Sequence, residues 1–243
     1  LNRFNDYNPT SGLNTDYLRP ATPDFLGDQL LLNIDPQLAY RLKQLAVDNG
    51  TTLYTLMLTA LNVLIYKYTG ENDITIGTPT AGRFHSVLEN IVGMFVNTLA
   101  FRNHLDENQS FIHLLEDVKE NVIKSIKYED YPFELLVDRL KISRQTGRNP
   151  LFDIIFSLEN IELEDDVGEN RLLNYSNYPL DSGMSQFDLS IDVYVQEEEM
   201  EIKFKYASQL FKRETVERLA HHFVQLLNKV TENAEEKIKD INM

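Results

Sequence analysis

The chain has 243 residues, 42% of them hydrophobic, and carries 23 basic against 38 acidic residues for a formal net charge of −15. That length suits one large domain or two small ones with a real core, and that acidity argues against nucleic-acid and membrane-surface partners. Cysteine is absent, which excludes disulfides, thiolate nucleophiles and cysteine zinc sites, and no apolar run reaches the roughly 18 residues of a membrane span. No signal peptide is visible, so the expected location is cytoplasmic.

Residues 1–24 hold many turn formers (Asn8-Pro9, Ser11-Gly12, Pro20, Pro23) and read as an irregular lead-in. Residues 26–34 read as a strand. Asp35-Pro36 opens a helix with the apolar face Leu38, Leu42, Leu45 and Ala46, closed by Asn49-Gly50. Thr51 or Thr52 caps a second helix, to about Tyr68, so apolar all round that it belongs in the interior. Residues 74–77 form a short strand and 77–83, GTPTAGR, a loop.

A strand is expected over 94–101, then a helix capped by Ser110 with Phe111, Leu114, Leu115, Val118, Val122 and Ile126 on one face. Asp130-Tyr131-Pro132 begins a shorter helix, through about Leu140. Residues 151–158 suit a buried strand. Residues 159–185 form a long acidic excursion, with a short strand at 172–175. Strict alternation over 189–195 and 200–206 marks an antiparallel hairpin. A last amphipathic helix covers about 213–233. The sum is mixed α/β, of α+β or mixed-sheet type, because strict strand–helix alternation is missing.

No complete catalytic set is legible. His221-His222 is followed by Phe223, Val224, Gln225 and Leu226, which fails the acyltransferase pattern HHxxxDG. His85, His104 and His113 are scattered, and no HExxH, Walker loop, dinucleotide fingerprint or GxSxG elbow is present. Three segments resist a purely structural account. In VGMFVNTLAFR (92–102), Asn97-Thr98 interrupt an apolar strand, where polar side chains need partners. DYPFE (130–134) sets two aromatics around a proline beside two carboxylates. RNPLF (148–152) puts a cation and an amide just ahead of a buried strand.

Together, in this order, the three resemble the last core motifs of condensation domains in non-ribosomal peptide synthetases. Residues 92–102 match (I/V)GxFVNT(Q/L)(C/A)xR at every specified position. Residues 130–134 match the core of (H/N)QDYPFE, with Tyr128 and Glu129 replacing its first two residues. Arg148-Asn149-Pro150-Leu151 match the end of RDxSRNPL; Arg144 is in register, while Gln145 and Gly147 depart. LNTDYLRP (13–20), IGTPTAGR (76–83) and QFDL (186–189) are similar to further family segments. The likeness covers residues 13–243 and leaves 1–12 unplaced.

This resemblance implies a single, C-terminal lobe of a two-lobed fold like chloramphenicol acetyltransferase: a mixed sheet flanked by helices. The HHxxxDG motif belongs to the other, N-terminal lobe, so no catalytic residue is expected in this chain and the chain alone is expected to be inactive. The implied reaction joins a carrier-bound donor thioester to a carrier-bound acceptor amine. Both substrates ride on phosphopantetheine of partner carrier proteins, and no cofactor or metal is held directly. Further expected partners are the N-terminal lobe and an adenylation domain. The resemblance assigns Asn97 and Thr78 to the tunnel lining. It assigns Gly93, Arg102, Asp130, Glu134, Arg148 and Asn149 to the scaffold, with Asp130 and Glu134 as caps of the DYPFE helix. Residues 159–185 would hold the loop crossing to the other lobe. An epimerisation, ester-forming or cyclisation variant, and a non-catalytic docking platform for carrier proteins, are the alternatives.

Overall fold

The computed structural model describes residues 2–4, 12–22, 24–83, 85–88, 90–142, 147–160, 183–196 and 199–243. Its strands are β1 (Gly27–Ile34), β2 (Asp73–Thr80), β3 (Asn97–His104), β4 (Ile154–Asn160), β5 (Leu189–Gln196) and β6 (Glu199–Ala207). Its helices are α1 (Pro36–Asp48), α2 (Leu53–Thr69), α3 (Phe111–Ile126), α4 (Phe133–Leu140) and α5 (Arg213–Glu232). The strands form one six-stranded sheet in the order β1-β6-β5-β4-β2-β3. The β4 pairings with β5 and β2 are parallel and the rest antiparallel, which makes the sheet mixed, as expected.

Local chemistry explains most boundaries. The Asp35 carboxylate accepts from the N–H groups of Gln37 and Leu38, and Pro36 fills the first helical position, where no N–H is needed. Thr52 caps α2 by accepting from the Thr55 N–H, and Gly70 ends it with φ +71°. Ser110 accepts from His113 at the start of α3. The hairpin register pairs Leu189 with Tyr206, Ile191 with Phe204 and Val193 with Ile202, so one face of β5 and β6 is apolar and buried.

That face packs on α1, α2, α3 and α5 in one continuous core. All residues of α2 from Thr55 to Ile65 are buried, which accounts for its uncharged sequence. α4 belongs to a second cluster with Phe152, Leu151 and Phe4, against Ala100 of β3. Ala100 points opposite to its buried neighbours Leu99 and Phe101, so α4 lies across the sheet from the large core.

Two expectations change. The segment 77–83 is not all loop: β2 runs on to Thr80, because β3 pairs with it as far as Thr80↔Asn97. Pro79 is tolerated there opposite Thr98. Equally, β3 begins at Asn97 rather than Met94 and continues to His104. Met94 and Val96, apolar as they are, stand in the preceding connection at 87% and 55% exposure. The expected strand at 172–175, and 161–182 of the acidic excursion, lie outside the described residues.

Candidate functional site: the junction of the motifs

The Phe152 ring is the meeting point of the sequence motifs. Phe133 of DYPFE lies 5.5 Å from it, and Phe187 of QFDL stacks on it at 5.8 Å. Gly77 lies beneath: a β-carbon there would stand 2.2 Å from the Phe152 ring. The glycine that opens GTPTAGR is therefore required by packing.

A second clasp joins GTPTAGR to VGMFVNT. Gly82 has φ +64°, and a β-carbon on it would meet the Phe95 carbonyl oxygen at 1.8 Å. The Arg83 guanidinium sits 4.4 Å over the Phe95 ring and donates to the carbonyls of Leu88 and Ile91. Gly93 lies in the same turn, with space for a β-carbon limited by Phe95 at 3.2 Å.

Asn97 and Thr78 have internal partners. The Asn97 amide donates to the carbonyls of Glu129 (2.7 Å) and Tyr131 (2.9 Å), and its Oδ1 accepts from the Phe133 N–H (3.3 Å). Asn97 thus caps α4 from a neighbouring strand. This corrects the expectation for Asp130. The residue flanking α4 is Pro132, no side chain of its own segment caps the helix, and Asp130 is exposed. Glu134 sits in the first turn, where a carboxylate suits the helix dipole. The Thr78 hydroxyl shares a 2.7 Å hydrogen bond with the phenol of Tyr54, whose ring packs on Phe101 and Phe156. Burial raises the Tyr54 phenol well above its ordinary range.

The arginines join segments. Arg102 grips Asp73 with Nε (2.8 and 3.1 Å) and Nη2 (2.6 Å) and donates to the Arg3 carbonyl. Arg148 pairs with Asp153, and Arg19 with Asp188 and the Gly147 carbonyl. The hydrogen bond to Asp153 raises the Arg148 guanidinium, and that to Asp188 raises Arg19. Asn149 turns the chain into β4 by accepting from the N–H groups of Leu151 and Phe152.

The histidine pair lies elsewhere, on α5, which packs on α1 and α2. His222 Nδ1 bonds the Tyr68 hydroxyl at 2.9 Å, and burial together with His221 and Arg218 lowers its pKa. Among the described residues no group of three His, Cys, Asp or Glu is placed to hold a metal, and no helix is long and apolar enough to cross a membrane. Sequence reading missed Tyr54, the Arg19–Asp188 pair and a buried chain in which Asn121 donates to Asn103 and Asn103 to Asn62. Arg19 lies in LNTDYLRP and Asp188 in QFDL, but nothing in either segment pairs them; for Asn62 the hint was a polar residue in an apolar run.

Comparison with known proteins agrees with the motif order. The family model described as Condensation domain matches residues 1–243. Gramicidin S synthase 2 of Aneurinibacillus migulanus is 44% identical over 243 residues, covering 100% of this chain and 5% of that protein. Tyrocidine synthase 3 of Brevibacillus parabrevis is 43% identical over 244 residues, covering 100% of this chain and 4% of its own length. The chain therefore spans a small fraction of these curated relatives. Among solved structures, a four-domain nonribosomal peptide synthetase bound to AMP and glycine superposes with a TM-score of 0.91 at 26% identity, over 99% of this chain and 19% of that one. The X-domain from teicoplanin biosynthesis has the same fold, with a TM-score of 0.91 at 23% identity over 100% of this chain and 56% of that chain. With its whole length matched and its motifs gathered around Phe152 and Asn97, the chain belongs to the condensation domain family of the non-ribosomal peptide synthetases.

Proposed function

We propose that residues 13–243 form the C-terminal lobe of a two-lobed condensation domain that makes an amide from two carrier-bound substrates. The acceptor amine attacks the donor thioester carbonyl, the C–N bond forms, the C–S bond breaks and the thiol leaves with a proton. Holding both phosphopantetheine arms in one tunnel supplies proximity. A histidine from an HHxxxDG lobe outside this sequence moves the proton or orients the amine. The observation that carries this reading is the family match over all of residues 1–243, in a chain whose own histidine pair lies on α5 and fails the pattern. The chain's correspondence to 56% of the teicoplanin X-domain supports the one-lobe assignment.

On this reading the tunnel wall is supported from behind. Asn97 fixes the start of α4, and Tyr54 holds the Thr78 hydroxyl, so both polar residues act by shaping the wall. Carrier and adenylation domains are the partners in the synthetase. The test is reconstitution with loaded donor and acceptor carriers. The chain alone forms no peptide, and adding an HHxxxDG lobe restores turnover. Turnover by the chain alone overturns the one-lobe reading.

A second reading, a docking platform without chemistry, is favoured by one surface. Val87, Ile91, Val92, Met94 and Val96 are all exposed in the connection between β2 and β3, with Val92 at 101% and Met94 at 87%. Loaded carriers binding with equal affinity to the chain and to a Val92→Lys, Met94→Lys variant would remove this support.

A further inference from the structure

Where the RNPLF turn passes the start of β2 and the end of α2, the chain encloses a cavity of about 30 Å³. Its size decides the class of ligand. One water needs roughly 10–15 Å³, and an organic molecule needs far more.

Thr75 of β2 lines this cavity. It is 8% exposed, and its hydroxyl oxygen is buried without a hydrogen-bond partner. Thr75 stands two residues before Gly77 on the same strand, so its side chain leaves the sheet on the side where Gly77 meets Phe152. A buried hydroxyl left unpaired is costly, so native structures supply a partner from the chain or from an ordered water.

The facing turn explains why the chain supplies none. β2 meets β4 in register at Gly77↔Ile155, beyond Thr75. Ahead of that pair, the N–H groups of Leu151 and Phe152 both donate to Asn149 Oδ1, at 3.1 and 3.4 Å. The turn thus spends these donors on its own side chain and stands off from β2.

Acceptors remain on two other walls of the cavity. The Thr69 hydroxyl donates to the Ile65 carbonyl and accepts from the Glu71 N–H, which leaves its oxygen one lone pair. The Asp153 carboxylate, 9% exposed, accepts from Arg148 Nε on Oδ1 and from Nε and Nη2 on Oδ2, which leaves room at Oδ1. One donor–acceptor hydroxyl and two acceptors match the roughly three hydrogen bonds of a buried water. A cation suits the site less, because the Arg148 guanidinium lines it too.

We infer that this cavity is the binding site of one structural water. The water accepts from the Thr75 hydroxyl and donates to Thr69 Oγ1 and Asp153 Oδ1. It joins the strand of GTPTAGR to the RNPLF turn and to α2, and so holds the turn that carries Phe152 over Gly77. This assignment is independent of the condensation reading.

The test combines a high-resolution crystal structure of the 243-residue chain with oxygen-17 water relaxation dispersion in solution, which does not respond to exchange of hydroxyl protons. The crystal shows one water within hydrogen-bond distance of Thr75 Oγ1 and Asp153 Oδ1. Thr75→Val keeps the shape of the side chain and removes the hydroxyl. It lowers the dispersion amplitude by one long-lived water and raises the unfolding equilibrium constant roughly fivefold, the size of one hydrogen bond. Thr75→Ser keeps the hydroxyl and the full amplitude. A cavity without density, density with the coordination of a metal cation, a Thr75→Val chain that keeps the full amplitude, or one as stable as the parent chain overturns the inference.

Discussion

The backbone N–H of Phe133, the first residue of α4, donates to Oδ1 of Asn97, the first residue of β3, at 3.3 Å. Two family motifs far apart in sequence are thereby tied through one side chain. Asn97→Ala leaves the Phe133 N–H and the carbonyls of Glu129 and Tyr131 without that partner. A loss of about 2–3 kcal/mol in stability is expected, since each half-buried group left unpaired costs about 1 kcal/mol or more. Chemical denaturation measures it. Asn97→Asp keeps the acceptor but loses both donors and should fall between. An unchanged midpoint for Asn97→Ala would show that α4 does not depend on this cap.

Gly77 lies so close to Phe152 that a β-carbon on it would stand 2.2 Å from the ring. Gly77→Ala should cost about 1–3 kcal/mol, because the ring cannot retreat past Phe133 and Phe187 without opening the cluster. Pairing it with Phe152→Leu should recover part of that loss, so the double-mutant cycle reads a coupling of opposite sign to the single losses. Strictly additive effects would place the strain elsewhere.

Arg102 is 7% exposed and holds Asp73 with a fork of two nitrogens while a third reaches the Arg3 carbonyl. Arg102→Ala should lower stability by about 3 kcal/mol, since it strands Asp73 against β3. Arg102→Lys keeps the charge but cannot reproduce the planar fork, and should recover only part of that stability. Thermal unfolding of the three proteins in parallel checks the order.

Asp28 and Tyr206 are register partners of β1 and β6, and the Tyr206 hydroxyl donates to the Asp28 carboxylate at 2.9 Å. The Gln29 N–H, assisted by Tyr206 and Arg213, holds the Asp28 carboxyl below its ordinary range. Its contribution is therefore present above the usual carboxylate pKa and is lost as pH falls through the depressed value. Burial and the bond to Asp28 push the Tyr206 phenol up to about 12. The folded state then binds that proton more tightly, so stability falls as pH rises from the ordinary phenol range, roughly 10, toward about 12. Tyr206→Phe should flatten part of this alkaline decline in a stability–pH profile. An identical slope in the variant would assign the decline to other tyrosines.

Much was readable from residues alone. The caps at Asp35, Thr52 and Ser110 lie within one residue of where the chain enters α1, α2 and α3, because capping depends on a few neighbouring atoms. The β5–β6 hairpin was legible because alternation over two adjacent strands has one register that buries Leu189, Ile191, Val193, Met200, Ile202, Phe204 and Tyr206 together. Family membership rested on motif chemistry in a fixed order.

The limits of β2 and β3 were decided elsewhere. Apolar content favours a strand from Met94, yet pairing with β2 starts at Asn97, since ladder hydrogen bonds depend on a distant partner. The parts played by Asn97 and Thr78 were also beyond reach. A carboxamide and a hydroxyl suit a substrate as well as a helix end or a phenol, and only folding brings Phe133 and Tyr54 within hydrogen-bond distance. The sequence by itself determined the family and the local beginnings of its helices. The tertiary structure decided which polar groups are already satisfied and which, like the Tyr131 hydroxyl, still lack a partner, because hydrogen bonding is settled by proximity in space.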